Sequence, residues 1–515
     1  MSMGRGAAGA TAGLAAAAAA LGVAELTAVI TGPQSSPLVA VGSWVVDTAP
    51  EPMVEFGINV FGVWDRVALQ IGTVVLLAGF AAGLGTLAAR WWPVAPVALA
   101  GFASIGVAAA ATRHDATAGA PVPTVVGALA AGATYWYLHR RWTATAAPPV
   151  QDRPAPDAGG PGDPGRRRLL RAAGLVMLAS AVVGLGGRWL STRRGVSTAR
   201  ERISLPAPVD AAPPAPAGAE LAVPGLASYV TGNDDFYRID TVLIIPQVDP
   251  ADWTLRIGGR VRNPYEITFG ELLDRPMVER WVTLACVSNP VGGDLIGNAR
   301  WLGVPVAELL AEADPLPGAD QVVSRSVDGW TCGTPTSVLM DGRDALLAVG
   351  MNGEPLPPRH GFPVRMVVPG LYGYVSACKW IVEIELSSFD DYDAYWVPRG
   401  WAARAPIKTQ SRIDTPRGQV AAGAVTVAGV AWAQHRGIER VEVRVDDGAW
   451  QEATLADTVS ADTWRQWSLS WQAEPGGHRL TVRATDSTGQ AQPQEPSPVA
   501  PDGATGWHTV EVEVG

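Results

Sequence analysis

The chain has 515 residues and a formal charge of −10 at pH 7, from 39 Lys and Arg against 49 Asp and Glu. Charged residues make up 17% and hydrophobic residues 48%, where a soluble protein carries about 25% charged residues. This length implies two to four domains, and the acidic balance without a basic stripe in the C-terminal part argues against nucleic acid as a partner.

Residues 1–190 hold most of the Ala, Gly, Leu and Val. A membrane helix needs about 20 mainly apolar residues, and five stretches qualify: 7–30, 67–89, 94–111, 121–138 and 169–190. Residues 37–46 are apolar but too short to span, so they read as a re-entrant or interfacial piece. Arg90, Arg140, Arg141, Arg166, Arg167, Arg168 and Arg171 fall on one side if the N-terminus is cytoplasmic. Residues from about 195 onward then lie outside, although Arg193 and Arg194 count against this. The segment PGRRRLLRAAGLVMLASAVVG reads either as a positive-inside helix start or as an internal twin-arginine export signal. Glu25, an acid inside the first apolar run, is either a charge paired with another helix or a proton or quinone site.

Two Pro/Ala-rich stretches, 147–165 and 205–224, read as linkers too poor in apolar surface to fold. From about 225 to 400, short strand patterns such as RWVTLAC and KWIVEIEL alternate with short helical ones such as TFGELLD, which predicts an α+β domain. From about 418 the pattern is all-β. Asp447-Gly448 marks a hairpin turn, and the spacing of later strands predicts an immunoglobulin-like sandwich. The predicted organisation is transmembrane helices over 1–145, a linker over 146–168 and a fifth span over 169–190. A second linker covers 191–224, the α+β domain 225–400 and the sandwich 401–515.

The three cysteines, Cys286, Cys332 and Cys378, are too few and odd in number for a disulfide framework, and no C-x-x-C or H-E-x-x-H spacing offers a zinc or iron–sulfur site. Cys286 stands where a strand pattern, RWVTLAC, gives way to a polar, Gly-rich loop. It is followed by Gly297-Asn298-Ala299-Arg300-Trp301, then by MNGEPLPPRHGFPVRMVVPG over 351–370 and SACKW over 376–380, and preceded by NDDFYRID over 233–240. In these four motifs the chain resembles the sulfite-oxidase-like, molybdopterin-dependent oxidoreductases. The likeness extends through GVAWA, VEVRVDDGAWQEATL and RATDSTGQAQP to the sandwich, so it covers roughly 225–515; the membrane part is similar to that of membrane-attached actinobacterial-type members.

The resemblance implies a molybdenum held by the pterin dithiolene, oxo groups and the Cys286 thiolate. It assigns His360, Arg365 and Lys379 to the pterin and its phosphate, with Asn233, Tyr237 and Arg238 as further candidates. Soft thiolate suits a redox-active metal, and phosphate asks for Arg, Lys and N–H donors. Arg365 among Phe362, Val364, Met366 and Val368 would need an anionic or polar partner if buried. Trp301 matches a tryptophan near the substrate pocket, and Cys332 and Cys378 read as structural. Paired arginines that bind sulfite in the family are replaced by Val287-Ser288-Asn289-Pro290-Val291. A neutral sulfoxide or N-oxide therefore fits better than sulfite. His114 and His139 fall on opposite membrane faces, about 30 Å apart, which argues against a haem here. The electron carrier is thus expected to be separate: a membrane haem protein, a quinone or a cytochrome. The resemblance also implies a homodimer through the sandwich. The competing readings are an atypical sulfite-oxidising site and a cofactor-free, membrane-tethered binding protein.

Overall fold

The computed structural model describes residues 4–50, 53, 60, 61, 65–113, 116–145, 164–193 and 196–515. Two units separate by their internal contacts: residues 1–197 with 242–247, and residues 198–241 with 248–515.

The first unit is helical. Its helices are α1 (Arg5–Thr31), α2 (Pro37–Thr48), α3 (Asp65–Ala88), α4 (Val94–Ala111), α5 (Val122–Thr145) and α6 (Pro164–Arg193). Four are long and apolar enough to cross a membrane: Arg5–Thr31, Val67–Ala88, Val94–Ala111 and Arg167–Leu190. The predicted span 121–138 forms as a helix but is not among those four. Its last turns carry Tyr135, Trp136, Tyr137, His139, Arg140 and Arg141, which dilute the apolar run. Residues 37–46 lie in a helix of 12 residues, about 18 Å long and too short to span. The linker at 147–165 and His114 fall largely or wholly outside the described residues.

The alanines of α1 explain how this unit packs. Buried Ala8, Ala12, Ala15, Ala16 and Ala19 recur at helical spacing, and α1 packs against α3, α5 and α6. A Cβ on Gly13 would stand 2.1 Å from the Ala81 carbonyl oxygen, and one on Gly127 2.6 Å from that of Ala20. Small residues thus let the helix backbones approach closely. Glu25 accepts a hydrogen bond from the Ser36 hydroxyl at 2.5 Å.

The second unit holds the α+β domain and the sandwich. One mixed sheet orders β2 (Tyr265–Thr268), β1 (Thr254–Gly259), β10 (Ile381–Ser387), β5 (Gln321–Ser326) and β6 (Thr331–Pro335), with β1 and β10 parallel. The other orders β3 (Val278–Ala285), β4 (Ile296–Pro305), β7 (Leu346–Met351) and β8 (Glu354–Pro355), and β9 (Arg365–Val367) adds to β7. Helix α7 (Phe269–Leu273) opens with a Thr268–Glu271 capping box, and amphipathic α8 (Val306–Ala313) buries Val306, Leu309, Leu310 and Ala313.

The C-terminal domain is a sandwich of a four-stranded and a five-stranded sheet. Strict alternation along its last strand, His508–Val514, turns Val510, Val512 and Val514 into a core with Trp467 and Ile413. The hairpin expected at Asp447-Gly448 forms, but the residue that takes the left-handed conformation is Asp446 (φ +51°), and the Gly448 N–H donates to the Val445 carbonyl.

The stretch 205–224 departs from its reading as a free linker. The Val209 N–H donates to the Met277 carbonyl at 2.8 Å, and Asp210 bridges Val278 at the edge of β3. The Leu221 N–H donates to Gln466 at 2.6 Å, and Ala219 is fully buried. Proline keeps this segment extended and removes donors, so it lies as a strap whose remaining N–H groups find partners on both domains.

Candidate active site

Strand β3 is buried along its last five residues and ends at Ala285, so that Cys286 follows it where the chain turns away. The turn is closed by its own backbone: Cys286 N–H donates to Leu295 O, and Asn289 N–H to Cys286 O. The Asn289 side chain accepts from Leu295 N–H at 2.9 Å. Gly292 adopts φ +77°, and a Cβ there would meet the His508 ring at 2.2 Å. Only glycine satisfies both conditions. Arg412, on the first sandwich strand (Gln410–Thr415), donates to the Gly293 carbonyl at 2.7 Å and is itself paired with Asp414 at 2.6 Å. The sandwich therefore holds the cysteine loop, a role no sequence motif pointed to.

Cys286 opens on a cleft of about 800 Å³, counting its open mouth, lined also by Tyr237, Asp240, His360, Arg365 and Lys379. Arg365 and Lys379 are bridge partners across neighbouring segments, so their side chains leave the backbone side by side. Gly361 (φ +110°) lets that pair pass, since a Cβ would lie 2.9 Å from the Cβ of Arg365. Trp380 has φ +52°, which is strained for a bulky residue; both Lys379 and Trp380 line the cleft, where a regular strand would send one of them away.

The electrostatics favour an anion. Arg365 is 5% exposed, and among the described residues its guanidinium donates only to the carbonyls of His360 (3.1 Å) and Met366 (3.4 Å). Among the described residues it makes no ion pair, and burial pulls its pKa down to about 10. Lys379 pairs with Asp240 at 2.7 Å, yet burial still lowers it to about 8. His360 is held at about 3 by burial and by Arg365, so it is neutral. Its Nε2 lies 2.8 Å from the Asn233 carbonyl and must donate, which leaves Nδ1 as an acceptor. Burial, with Cys286 alongside, drives the Tyr237 phenol far above its ordinary value, so it stays protonated. Burial also raises the Cys286 thiol, against hydrogen bonds from Ser288 and the charge of Lys379. Metal binding displaces such a proton. A thiol, two crowded cations and neutral donors fit a metal–pterin group that carries a phosphate.

Of the residues singled out by sequence, Tyr237, Cys286, His360, Arg365 and Lys379 meet at the cleft. Three do not line it. Asn233 acts from behind, its carbonyl on His360 and its side chain bound by Asn352. Arg238 pairs with Asp240 at 2.8 Å, because that carboxylate is only two residues away. Trp301 is fully buried, with its indole N–H on the Val282 carbonyl; it backs Arg365, whose cation sits 5.0 Å from the ring centre, and meets Phe236 edge-on. Cys332 and Cys378 are fully buried neighbours outside the cleft. Sequence reading passed over Asp240, although the NDDFYRID motif contains it, and over Ser288 and the aromatic rim of Trp330, Tyr374, Trp380 and Trp396.

Two family models match the chain: an oxidoreductase molybdopterin binding domain over residues 242–396 and a Mo-co oxidoreductase dimerisation domain over 405–515. Mouse mitochondrial sulfite oxidase is 30% identical over 367 residues, 61% of this chain and 65% of that protein, so the chain spans just under two thirds of it. Chicken sulfite oxidase is 30% identical over 58% of this chain and 74% of its own length. Among solved structures, the sulfane dehydrogenase SoxCD from Paracoccus pantotrophus is similar at 25% identity and a TM-score of 0.46, over 52% of this chain and 75% of that one. With a cysteine-headed, cation-lined cleft in the molybdopterin-binding domain and a sandwich behind it, the chain belongs to the sulfite-oxidase-like family of molybdopterin-dependent oxidoreductases.

Proposed function

We propose that the protein is a membrane-anchored oxidoreductase that transfers an oxygen atom, with two electrons, to or from a neutral sulfoxide or N-oxide. Cys286 would hold the molybdenum, and Arg365, Lys379 and His360 the pterin and its phosphate. The observation that carries this reading is Arg365: a buried guanidinium in the cysteine cleft, with no ion pair among the described residues, is placed to meet an anionic partner. When bound, the cofactor supplies the two-electron exchange of oxygen that no side chain can perform.

The chain's own residues bind, orient and exclude water. Ser288 stabilises the Cys286 sulfur as an anion. The protonated Tyr237 hydroxyl is available to donate to a substrate oxygen, and the His360 Nδ1 to accept from the pterin. Trp330, Trp380 and Trp396 ring the mouth with apolar surface. That rim, and a 287–291 segment without a cation, favour a neutral substrate over an anion. Sulfite oxidation is the second reading, favoured by the names of the relatives.

The four apolar helices support a membrane anchor, and the arginine pattern supports an extracytoplasmic catalytic domain. The match of residues 405–515 supports a homodimer. A separate electron carrier completes the cycle.

Protein from a molybdenum-replete host should contain about one molybdenum per chain, and Cys286→Ser should keep its fold while losing turnover. A dye-linked screen of sulfoxides, N-oxides and sulfite separates the two substrate readings. Normal turnover by Cys286→Ser would overturn the thiolate assignment, and turnover of sulfite alone would overturn the neutral substrate.

A further inference from the structure

One end of the helical unit gathers the start of α1, the end of α3, the start of α4, the end of α5 and the start of α6. Ala8, Ala88, Leu138, Leu169 and Ala173 are buried together there, with Val94 and Trp142 packed against them. The stretches that meet at this end are 1–12, 85–98, 132–145 and 164–176, and they carry eight arginines and no Asp or Glu. With Arg153 and the three aspartates of 146–163 counted, the end keeps a formal net charge of +6, whereas the rest of residues 1–197 sums to −1. A charged face that is merely solvated mixes the two signs; this one does not.

Aromatic rings hold two of these arginines on the outside of α5. The Arg140 guanidinium lies 4.2 Å from the centre of the Trp136 ring and that of Arg141 4.7 Å from the Tyr137 ring, each one helical turn back. Trp136 is 49% and Tyr137 44% exposed, so both stacks face outward rather than between helices. Stacking uses the face of a guanidinium and leaves its edge N–H groups to donate, a fork that matches phosphate. Trp92 lies 5.1 Å from His139, which brings the α3–α4 turn, with Arg90 and exposed Trp91, beside the end of α5. On α6 the RRRLLR string is the packed start of a helix: Leu169 turns into the bundle, and Arg167, Arg168 and Arg171 are exposed. Exposed Trp and Tyr beside apolar helix ends sit at the level of lipid headgroups, and the anion at that level is lipid phosphate. A zwitterionic headgroup adds an ammonium that this end repels, so the complementary headgroup is one with net negative charge.

We propose that this arginine collar holds anionic phospholipids by their phosphates as bound lipids. This rests on the part of the proposed function that puts the helices in a membrane, and it is independent of the chemistry at the cleft. The test takes the full chain in detergent micelles with equimolar phosphatidylglycerol and phosphatidylcholine of identical acyl chains. Each lipid retained per chain after gel filtration is counted by mass spectrometry. Phosphatidylglycerol should exceed phosphatidylcholine by about 10-fold or more, and the preference should shrink as salt rises from about 0.1 to 0.5 M. An arginine at such a surface is worth about 5-fold in affinity, so Arg140→Gln with Arg141→Gln should lower the preference about 5-fold or more. Arg140→Lys with Arg141→Lys, which keeps the charge, should retain most of it. Unchanged helicity of both variants is the control for folding. Cations that served only to orient the chain would hold no lipid through purification. Equal retention of the two lipids, or a glutamine variant with the wild-type preference, would therefore overturn the proposal, as would displacement of the lipid by about 10 mM inorganic phosphate. A chain that stays monodisperse without detergent would end the membrane reading itself, so the two failures are told apart.

Discussion

Replacing Arg365 by methionine separates a cofactor ligand from a structural arginine. The fall of the guanidinium from 12.5 to about 10 corresponds to roughly 3 kcal/mol of unfavourable burial in the chain without cofactor. The folded pKa lies below the unfolded one, so that penalty is present throughout the range below about pH 10 and fades toward 12.5. Against it stand two hydrogen bonds to carbonyls and a cation–π contact with Trp301, each worth about 1 kcal/mol. These contributions nearly cancel. Arg365→Met in the cofactor-free protein should therefore change stability by no more than about 1 kcal/mol, or a few degrees in Tm. Cofactor retention should respond quite differently. A charge-assisted contact is worth about 1.5–3 kcal/mol, so molybdenum bound per chain should fall at limiting cofactor by about 10-fold or more. Thermal melting of the cofactor-free chain and elemental analysis of the loaded chain read the two effects separately. A Tm loss above about 8 °C with molybdenum per folded chain unchanged would refute the reasoning, because Arg365 would then be a core strut.

Lys379, at about 8 in the folded chain, should make cofactor retention weaker as pH rises above 8. Molybdenum per chain after dialysis should drop between pH 7 and 9 in wild type and be low at both in Lys379→Met. The cofactor-free chain should show the opposite slope, gaining stability between about pH 8 and 10.5, where the unfolded lysine holds more protons than the folded one. Gly292→Ala forces a Cβ into the His508 ring at φ +77°, and the backbone conformation alone should cost about 1–2 kcal/mol in urea unfolding, with molybdenum content falling too. Arg412→Met strands the buried Asp414 carboxylate and frees the Gly293 carbonyl, so it should destabilise by about 3 kcal/mol or more in the same assay.

What the sequence made legible was local. Cys286 stood out because a strand pattern stopped at it, and Arg365 because a charge inside FPVRMVV contradicts its neighbours. Both meet in the cleft. Relations across long separations stayed hidden. Lys379 meets Asp240 across 139 residues, and nothing in the motif around Asp240 says that Arg238 will share that carboxylate. The strap at 205–224 reads as disordered by composition, yet its partners Met277 and Gln466 supply hydrogen bonds that composition does not count. Trp301 lies next to Arg300 in the Gly297–Trp301 motif, but strand alternation sends it into the core while Arg300 turns out to pair with Glu279.

Charge at the cleft bears directly on the choice of substrate. The two cations at its floor are Arg365, without a carboxylate, and Lys379, already sharing Asp240. A pterin phosphate would use what positive potential remains, since a buried guanidinium and an ammonium lowered to about 8 leave little to spare. A substrate anion arriving after it would face Asp328 and three tryptophans rather than a cation. Desolvating a free anion without a partner costs several kcal/mol, whereas a sulfoxide or N-oxide loses only a hydrogen bond, which the protonated Tyr237 can restore. Placing an arginine in the loop, as Val291→Arg, should therefore raise turnover of sulfite relative to a neutral sulfoxide. An unchanged ratio, in a variant with full molybdenum content, would show that the missing cation does not set the preference.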